Sequence, residues 1–351
     1  MIGQHRSLQF VVFFFAISVP ANAADASDCK FSLSHEEVKS IDRNKLKAHI
    51  KSALEYRIAQ CRNISYEVET RCGLCKFDEQ VPHDFTQLFT SEHIKCWAIG
   101  NSFLIENERR DRQSGIVTYI RKDAFDAKEG VMRYYGMEHP SGDNKFGALD
   151  SEVTRAPFSS HTYIYWLDMP DQYEYVGERF LGKCVSNYDN WQIRVLPDAF
   201  VELQCNWKLP LNKDVVGKVS YVLDPLKGFL PSSCNGLWKD AKGANYFKQY
   251  EVRFIVDESK LVNDVWMPTK LRDAICPNGE KAKGNLFITK VNRVEIGRTT
   301  ESDLQLSFPP GTEVQDRLKG VVFTAGANDE RKDIKRLYVS PTQRGKRGHS
   351  P

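Results

Sequence analysis

Two short motifs in the chain have residue types that could do chemistry. Cys72 and Cys75 form a CxxC pair, which can act as a redox centre, supply half of a zinc site or form a local disulfide. Lys76 follows in place of the histidine that haem attachment needs, and the chain has no second CxxC or CxxH. We therefore interpret Cys72 and Cys75 as disulfide candidates, with thiol-disulfide exchange as the weaker alternative.

The second motif resembles the start of a zinc-protease helix. His35 and Glu36 begin it, but Lys39 stands where the second histidine must lie, so two imidazoles cannot share a metal. The sequence also lacks a nucleophile elbow, a phosphate-binding loop and an EF-hand loop. We predict no catalytic residue, no metal and no cofactor, and hence a non-enzymatic protein.

The first residues have the pattern of an export signal. Arg6 precedes an apolar run from Leu8 to Pro20, and the small-residue stretch Ala21–Ala23 follows it. We predict residues 1–23 as a signal peptide cleaved after Ala23, and a periplasmic or secreted protein. No later segment offers the eighteen or so apolar residues that a transmembrane helix needs. The nine cysteines would then meet an oxidising compartment, where pairing is the default.

Composition and charge exclude some partners. The net charge of +3 over 351 residues is small, so nucleic acid is not expected to bind. The surplus is partly local to residues 327–351, which we predict to be a basic, disordered tail. The aromatic side chains Tyr163, Tyr165 and Trp166 could form a contact surface, although large aromatics more often fill cores.

Periodicity predicts one helix followed by many strands. Ser34 opens a capping box, and helical spacing predicts a helix from about Ser34 to Cys61. Alternation of apolar and polar residues then predicts a strand from Asn63 to Arg71. The segments Asn107–Ser114 and Lys122–Glu129 are polar and charged, which is typical of connections between strands.

Later strands alternate cleanly, which predicts an antiparallel meander with one covered face. That face can lie on the helix or curl around an apolar interior. Nine apolar side chains of these strands are predicted to face inward. These residues are Trp191, Ile193, Val195, Val201, Leu203, Trp207, Val252, Phe254 and Val256.

The C-terminal third resembles a known family. A long strand at Leu286–Ile296 is followed by a segment in which Pro309, Gly311, Val314 and Asp316 keep a characteristic spacing, although Leu306 replaces a phenylalanine. This closing segment looks like that of the LolA/LolB-like periplasmic lipoprotein carriers, and the likeness is clearest over residues 217–323.

The resemblance implies a fold and a kind of ligand. It implies a mainly β protein with some α (α+β), in which a strongly curved antiparallel sheet forms an incomplete barrel packed on the N-terminal helix. Residues 24–326 would form this domain, with residues 79–216 as an extension or subdomain. In such carriers an apolar cavity takes acyl chains. The resemblance therefore implies that the nine inward-facing residues named above line a ligand cavity, with plain core packing as the alternative for each of them.

Three functional hypotheses follow. The first is an exported protein that binds a lipid-like ligand, such as a lipid or a lipoprotein acyl chain, without catalysis. The second is an envelope interaction module whose exposed aromatics and basic tail contact another envelope protein. The third is a thiol-disulfide enzyme that uses Cys72 and Cys75.

Overall fold

The computed structural model describes ten segments of the chain. They are residues 29–77, 81–100, 102–111, 114–138, 144–150, 191–208, 215–240, 249–277, 284–326 and 335–336. The predicted signal peptide, almost all of the predicted tail and the aromatic residues Tyr163, Tyr165 and Trp166 lie outside them.

Two helices open the described chain. Helix α1 spans His35–Ser40, and Ser34 caps it through the predicted capping box with Glu37. Helix α2 spans Arg43–Gln60. The prediction of a single helix is therefore wrong in one respect, since the chain leaves the helical conformation between α1 and α2. Ile41 is extended there, and the carboxylate of Asp42 accepts the backbone N–H groups of Asn44 and Lys45 to start α2.

Sixteen strands of the described residues make up the rest. In chain order, from β1 to β16, they are Asn63–Cys75, Gln87–Ile99, Ser102–Asp111, Val117–Asp126, Val131–Glu138, Asn144–Asp150, Gln192–Val195, Val201–Lys208, Val215–Asp224, Leu230–Asp240, Gln249–Val262, Val265–Pro277, Gly284–Ile296, Glu313–Asp316, Val321–Thr324 and Lys335–Arg336. The predicted strand from Asn63 is confirmed as β1 and continues to Cys75.

All sixteen strands belong to one large, curved and unclosed sheet. Their order is β16-β15-β14-β6-β5-β4-β3-β2-β1-β13-β12-β11-β10-β9-β8-β7. Neighbours are antiparallel except β14 and β6, which are parallel. The mainly β fold is confirmed. Strands β2 to β6 lie in the region predicted as an extension or subdomain. β2 pairs with β1, and β3 to β6 follow it in order, so they continue this sheet.

Two clusters fill the face of the sheet that the helices cover, here called the inner face. Under the helices, Leu46, Ile50 and Leu54 pack against Leu203 and Tyr221 of β8 and β9. A second cluster lies on strands β1 to β5 and β11 to β13, and Phe254 packs against both clusters. The inner face is therefore largely apolar along its length.

A smaller cluster covers part of the opposite, outer face. Phe77, Val81 and Phe85 of the segment between β1 and β2 pack on the apolar side chains of β12 and β13. Arg272 donates to the carbonyl oxygens of Val81 and Pro82 and to the carboxylate of Asp257. This arginine fastens the segment to the sheet.

Two segments predicted as polar connections are wrong over most of their length. Residues 107–111 belong to β3, and residues 122–126 belong to β4. The turns that join these strands are shorter than predicted. Their polar residues stay in the sheet because the inward side chains satisfy one another across strands, as described below.

Candidate functional site

An open cleft of about 610 Å³ lies where the two helices meet the last strand of the sheet, and it is here called the edge cleft. It is lined by Val38, Lys39, Ile41, Arg43, Leu46, Gln192, Ile193, Arg194, Val195, Glu202 and Gln204. β7 is one of the two edge strands of the described sheet, so side chains from both of its faces reach the cleft.

The floor of the edge cleft is aliphatic. Val38 of α1, Leu46 of α2 and Ile193 of β7 are each at most 4% exposed, and they belong to the core under the helices. Val195 is 38% exposed and extends this apolar surface to the mouth. The break at Ile41 lets α1 and α2 take different directions, which places Ile41 on the same wall.

The rim of the edge cleft is mainly cationic. Arg43 at the start of α2 donates to the carbonyl oxygen of Ile193. Arg194 and Glu202 lie directly opposite each other on β7 and β8, and an Arg194 nitrogen is 2.7 Å from a Glu202 carboxylate oxygen. Lys39 is exposed in the last turn of α1. A site of this composition can hold a ligand, but it presents no nucleophile and no paired acid and base.

The nine residues predicted to line a cavity lie in different places. Ile193 and Val195 line the edge cleft. Trp191, Val201 and Leu203 are buried under the helices, and Val252 is also buried.

The remaining members lie further along the sheet. Phe254 and Val256 of β11 are partly buried against the cluster at the sheet centre. Trp207 lies on β8, and its side chain is not among those that the structure describes. The structure thus brings two of the nine residues to a cleft and packs six into or against the core.

The two cysteines of the CxxC motif point to opposite faces of β1. Cys72 lies on the inner face, opposite Phe287, and Cys75 lies in the outer-face cluster. Three residues of extended chain separate their Cα atoms by about 10 Å, whereas a disulfide needs less than about 7 Å. Burial raises the pKa of the Cys72 thiol to about 11, so a reactive thiolate is disfavoured.

Sequence reasoning missed a group of polar side chains on the inner face, here called the inner-face polar cluster and defined as Glu92, Asn107, Arg109, Arg121 and Asp123. The register shows that they share one face, since Glu92 is opposite Arg109 and Asn107 is opposite Arg121. Arg109 donates two hydrogen bonds to Glu92, at 2.8 and 3.0 Å. The Asn107 amide nitrogen donates to the same carboxylate at 3.3 Å, and its amide oxygen has no partner among the described residues.

Asp123 is the most deeply buried charge of this cluster. Its carboxyl group is 1% exposed and accepts hydrogen bonds of 2.8 and 2.9 Å from Nε of Arg121. Burial raises the pKa of Asp123 to about 6, and the guanidinium of Arg121 opposes that rise. Within this cluster Arg109 pairs with Glu92 and Arg121 pairs with Asp123, which is the arrangement of a structural network.

The alternation of apolar and polar residues along β2 and β3 is a sequence signal that could have indicated this cluster. From Glu92 to Ala98 every second residue is buried, and the same alternation runs through Phe103, Ile105 and Asn107. Continuing the period of two past the last apolar residue predicts that Asn107 and Arg109 also face inward.

The described segments offer neither a grouping of metal ligands nor a membrane-spanning helix. In these parts of the chain no three or more histidine, cysteine, aspartate or glutamate side chains are grouped closely enough to hold a metal ion. Neither described helix is sufficiently long and apolar to cross a membrane.

Comparison with known proteins gives similarity at the level of structure. No protein-family model matches the chain, and no curated protein sequence matches it. A DUF1329 family protein from Desulfovibrio piger is similar, with 8% identity, a TM-score of 0.40, and coverage of 76% of this chain and 100% of that one. A domain from Vibrio parahaemolyticus named as an outer membrane lipoprotein-sorting protein has 11% identity, a TM-score of 0.39, and coverage of 73% of this chain and 95% of its own.

Proposed function

We propose that this protein is an exported, non-enzymatic binding protein of the cell envelope, and that it holds a lipid-like ligand in the edge cleft. The observation that carries the proposal is the cleft itself, with its aliphatic floor next to the half-exposed Val195. Its volume of about 610 Å³ lies within the range of small-molecule sites, which is roughly 300 to 1,000 Å³.

The physical driving force is the hydrophobic effect. Each methylene that leaves water for an apolar surface contributes about 0.8 kcal/mol, so a short acyl chain gains several kcal/mol without any special chemistry. The cleft is open to solvent, which suits a ligand that must enter and leave. The lack of a nucleophile or a paired acid and base among its lining residues supports binding without catalysis.

The sequence supports the cellular setting. The three-part pattern of residues 1–23 predicts export, and the closing segment resembles periplasmic lipoprotein carriers. A lipid or the acyl chain of a lipoprotein is therefore the partner that we propose.

The test compares two single variants with the native protein. Val195→Asp places a carboxylate in the mouth of the cleft, and Leu318→Asp makes the same change at an exposed apolar residue, 44% exposed, beyond β14. We expect Val195→Asp to weaken binding of a fluorescent acyl probe at least about ten-fold, because the probe would desolvate a charge. Leu318→Asp should bind like the native protein.

Mass spectrometry of organic extracts from natively purified protein gives a second readout. A co-purifying amphiphile that is depleted in Val195→Asp supports the proposal. Absence of probe binding by the native protein, or equal binding by both variants, contradicts it.

A further inference from the structure

The charges around the edge cleft are unbalanced. Its lining residues include the cations Lys39, Arg43 and Arg194 and a single carboxylate, Glu202. That carboxylate is already satisfied, since Arg194 pairs with it at 2.7 Å and the hydroxyl of Ser220 donates to it at 2.7 Å. Two positive charges of the rim therefore have no compensating carboxylate within the lining.

The two uncompensated cations are held differently. The Arg43 guanidinium is positioned by its hydrogen bond to the Ile193 carbonyl oxygen, which uses one donor. Its charge is paired with no carboxylate among the residues that the structure describes. Lys39 is exposed and forms no ion pair within the described part of the chain. An arginine with spare donors and an exposed lysine, both lining the same cleft, are suitable partners for an anionic group.

The apolar and cationic surfaces adjoin each other. Val38 is followed in sequence by Lys39, and Ile193 is the residue whose carbonyl oxygen holds Arg43. A ligand whose chain lies on the aliphatic floor would therefore place its polar end beside these two cations. A neutral or cationic end at this position would forgo that attraction or oppose it.

We infer that the edge cleft selects amphiphiles with an anionic head group, which Lys39 and Arg43 bind while the aliphatic floor holds the chain. The inference rests on the proposed function, and it adds the charge of the ligand. Carboxylate and phosphate heads share this chemistry, so the experiment includes both.

The experiment uses four probes with the same alkyl chain, namely dodecanoate, dodecyl phosphate, dodecanol and dodecyltrimethylammonium. Each is titrated below its aggregation concentration against the native protein, and displacement of the fluorescent acyl probe is followed. We expect at least one anionic probe to bind about ten-fold or more tightly than dodecanol, and the ammonium probe to bind more weakly than dodecanol. The anion preference should shrink as salt is added.

Charge-removing variants locate the source of the preference. The double variant Lys39→Gln, Arg43→Gln should lose the preference for anions, so that it binds dodecanoate, dodecyl phosphate and dodecanol with similar affinity. Lys45→Gln is the matched control, because Lys45 is an exposed lysine of α2 that does not line the cleft. Circular dichroism melting of each variant shows whether the fold is retained.

The outcomes separate the two proposals. Equal binding of dodecanol and both anionic probes overturns the inference and leaves the lipid-binding function standing. An anion preference that persists in the folded double variant also overturns it, because the cations of the rim would not be its source. Failure of every probe to bind the native protein overturns both.

Discussion

The carboxyl group of Asp123 makes the stability of the protein depend on pH. Burial raises its pKa from 3.8 to about 6 in the folded state. A raised acid pKa means that the folded state holds the proton more tightly than the unfolded chain does. Its contribution to the free energy of unfolding is therefore complete below about pH 4 and is lost as the pH rises through about 6.

Replacing the Asp123 carboxyl group with an amide should remove its contribution to the pH dependence of the free energy of unfolding. Between about pH 4 and pH 6.5 we expect the free energy of unfolding of the native protein to fall by about 2 kcal/mol relative to Asp123→Asn, since each pKa unit corresponds to about 1.36 kcal/mol and part of the change lies below pH 4. Urea denaturation of both proteins across this interval measures it. A difference between the two that stays constant with pH contradicts the assignment.

Arg57 is a buried cation that ties three backbone segments together. It is 6% exposed and donates to the carbonyl oxygens of Trp266, Lys227 and Gly228, the last at 3.1 Å. Arg57→Met leaves these acceptors without a charged donor, and we expect the free energy of unfolding to fall by about 3 kcal/mol. Arg62→Met, at an exposed position just past the same helix, should cost less than about 0.5 kcal/mol in the same urea titration.

Single residues differ in how well the sequence revealed them. Ile193 and Val195 were predicted to line a half-barrel cavity; they lie at the edge cleft, and their part in ligand binding stays a prediction. Arg43 and Asp123 were not predicted, because a charged residue in isolation looks like a solvent-exposed one. Their roles depend on partners that the fold supplies, namely the carbonyl oxygen of Ile193 and the guanidinium of Arg121.

At the scale of elements, α1 is a short helix whose stability depends on its N-terminal cap. It has six residues, too few to be stable alone, and the Ser34 hydroxyl and Glu37 carboxylate satisfy each other's backbone N–H groups at its start. We expect Ser34→Ala to lower the free energy of unfolding by about 1 kcal/mol. The acyl probe should also bind more weakly, because α1 supplies Val38 and Lys39 to the edge cleft.

Ser52→Ala is the control for this change. Ser52 is exposed within α2, where alanine is the better helix former, so the variant should be at least as stable as the native protein. Unfolding curves and probe titrations of the two variants decide the question. Equal stability and equal probe affinity would show that the cap does not hold α1 in place.

Elements were predictable wherever local signals agreed with the fold. The capping box and the strand from Asn63 were read correctly. The break between α1 and α2 was missed because apolar spacing continues through it, from Val38 through Ile41 to Leu46. The length of β3 was underestimated because Asn107 and Arg109 are polar, and only their pairing with Glu92 across the sheet explains their inward position.

At the scale of the whole molecule, the strand order links distant parts of the chain. The curved, mainly β architecture was predicted from one-sided strands and the closing segment. Two long-range pairings were not, namely β1 with β13 and the parallel contact of β14 with β6. Such contacts leave no local pattern, because any apolar strand can pair with several others.

This order predicts where the molecule resists opening. β1 has 13 residues and lies in the middle of the sheet, paired along its length with β2 and β13. β7 has four residues and lies at one edge of the described sheet, where β8 alone pairs with it. Opening β1 requires separation of two long ladders and exposure of the central cluster, whereas β7 can detach alone.

Hydrogen exchange followed by mass spectrometry should therefore find slow exchange at the centre of the sheet and fast exchange at β7. We expect β1 and β13 to exchange last, with an opening free energy close to that of global unfolding, and β7 to exchange at least about a hundred-fold faster. Saturating acyl probe should slow exchange in β7 more than in β1, because the edge cleft lies along that strand. Exchange of β7 as slow as that of β1 in the free protein would contradict the strand order, since a four-residue edge strand has too few contacts to be protected to that degree.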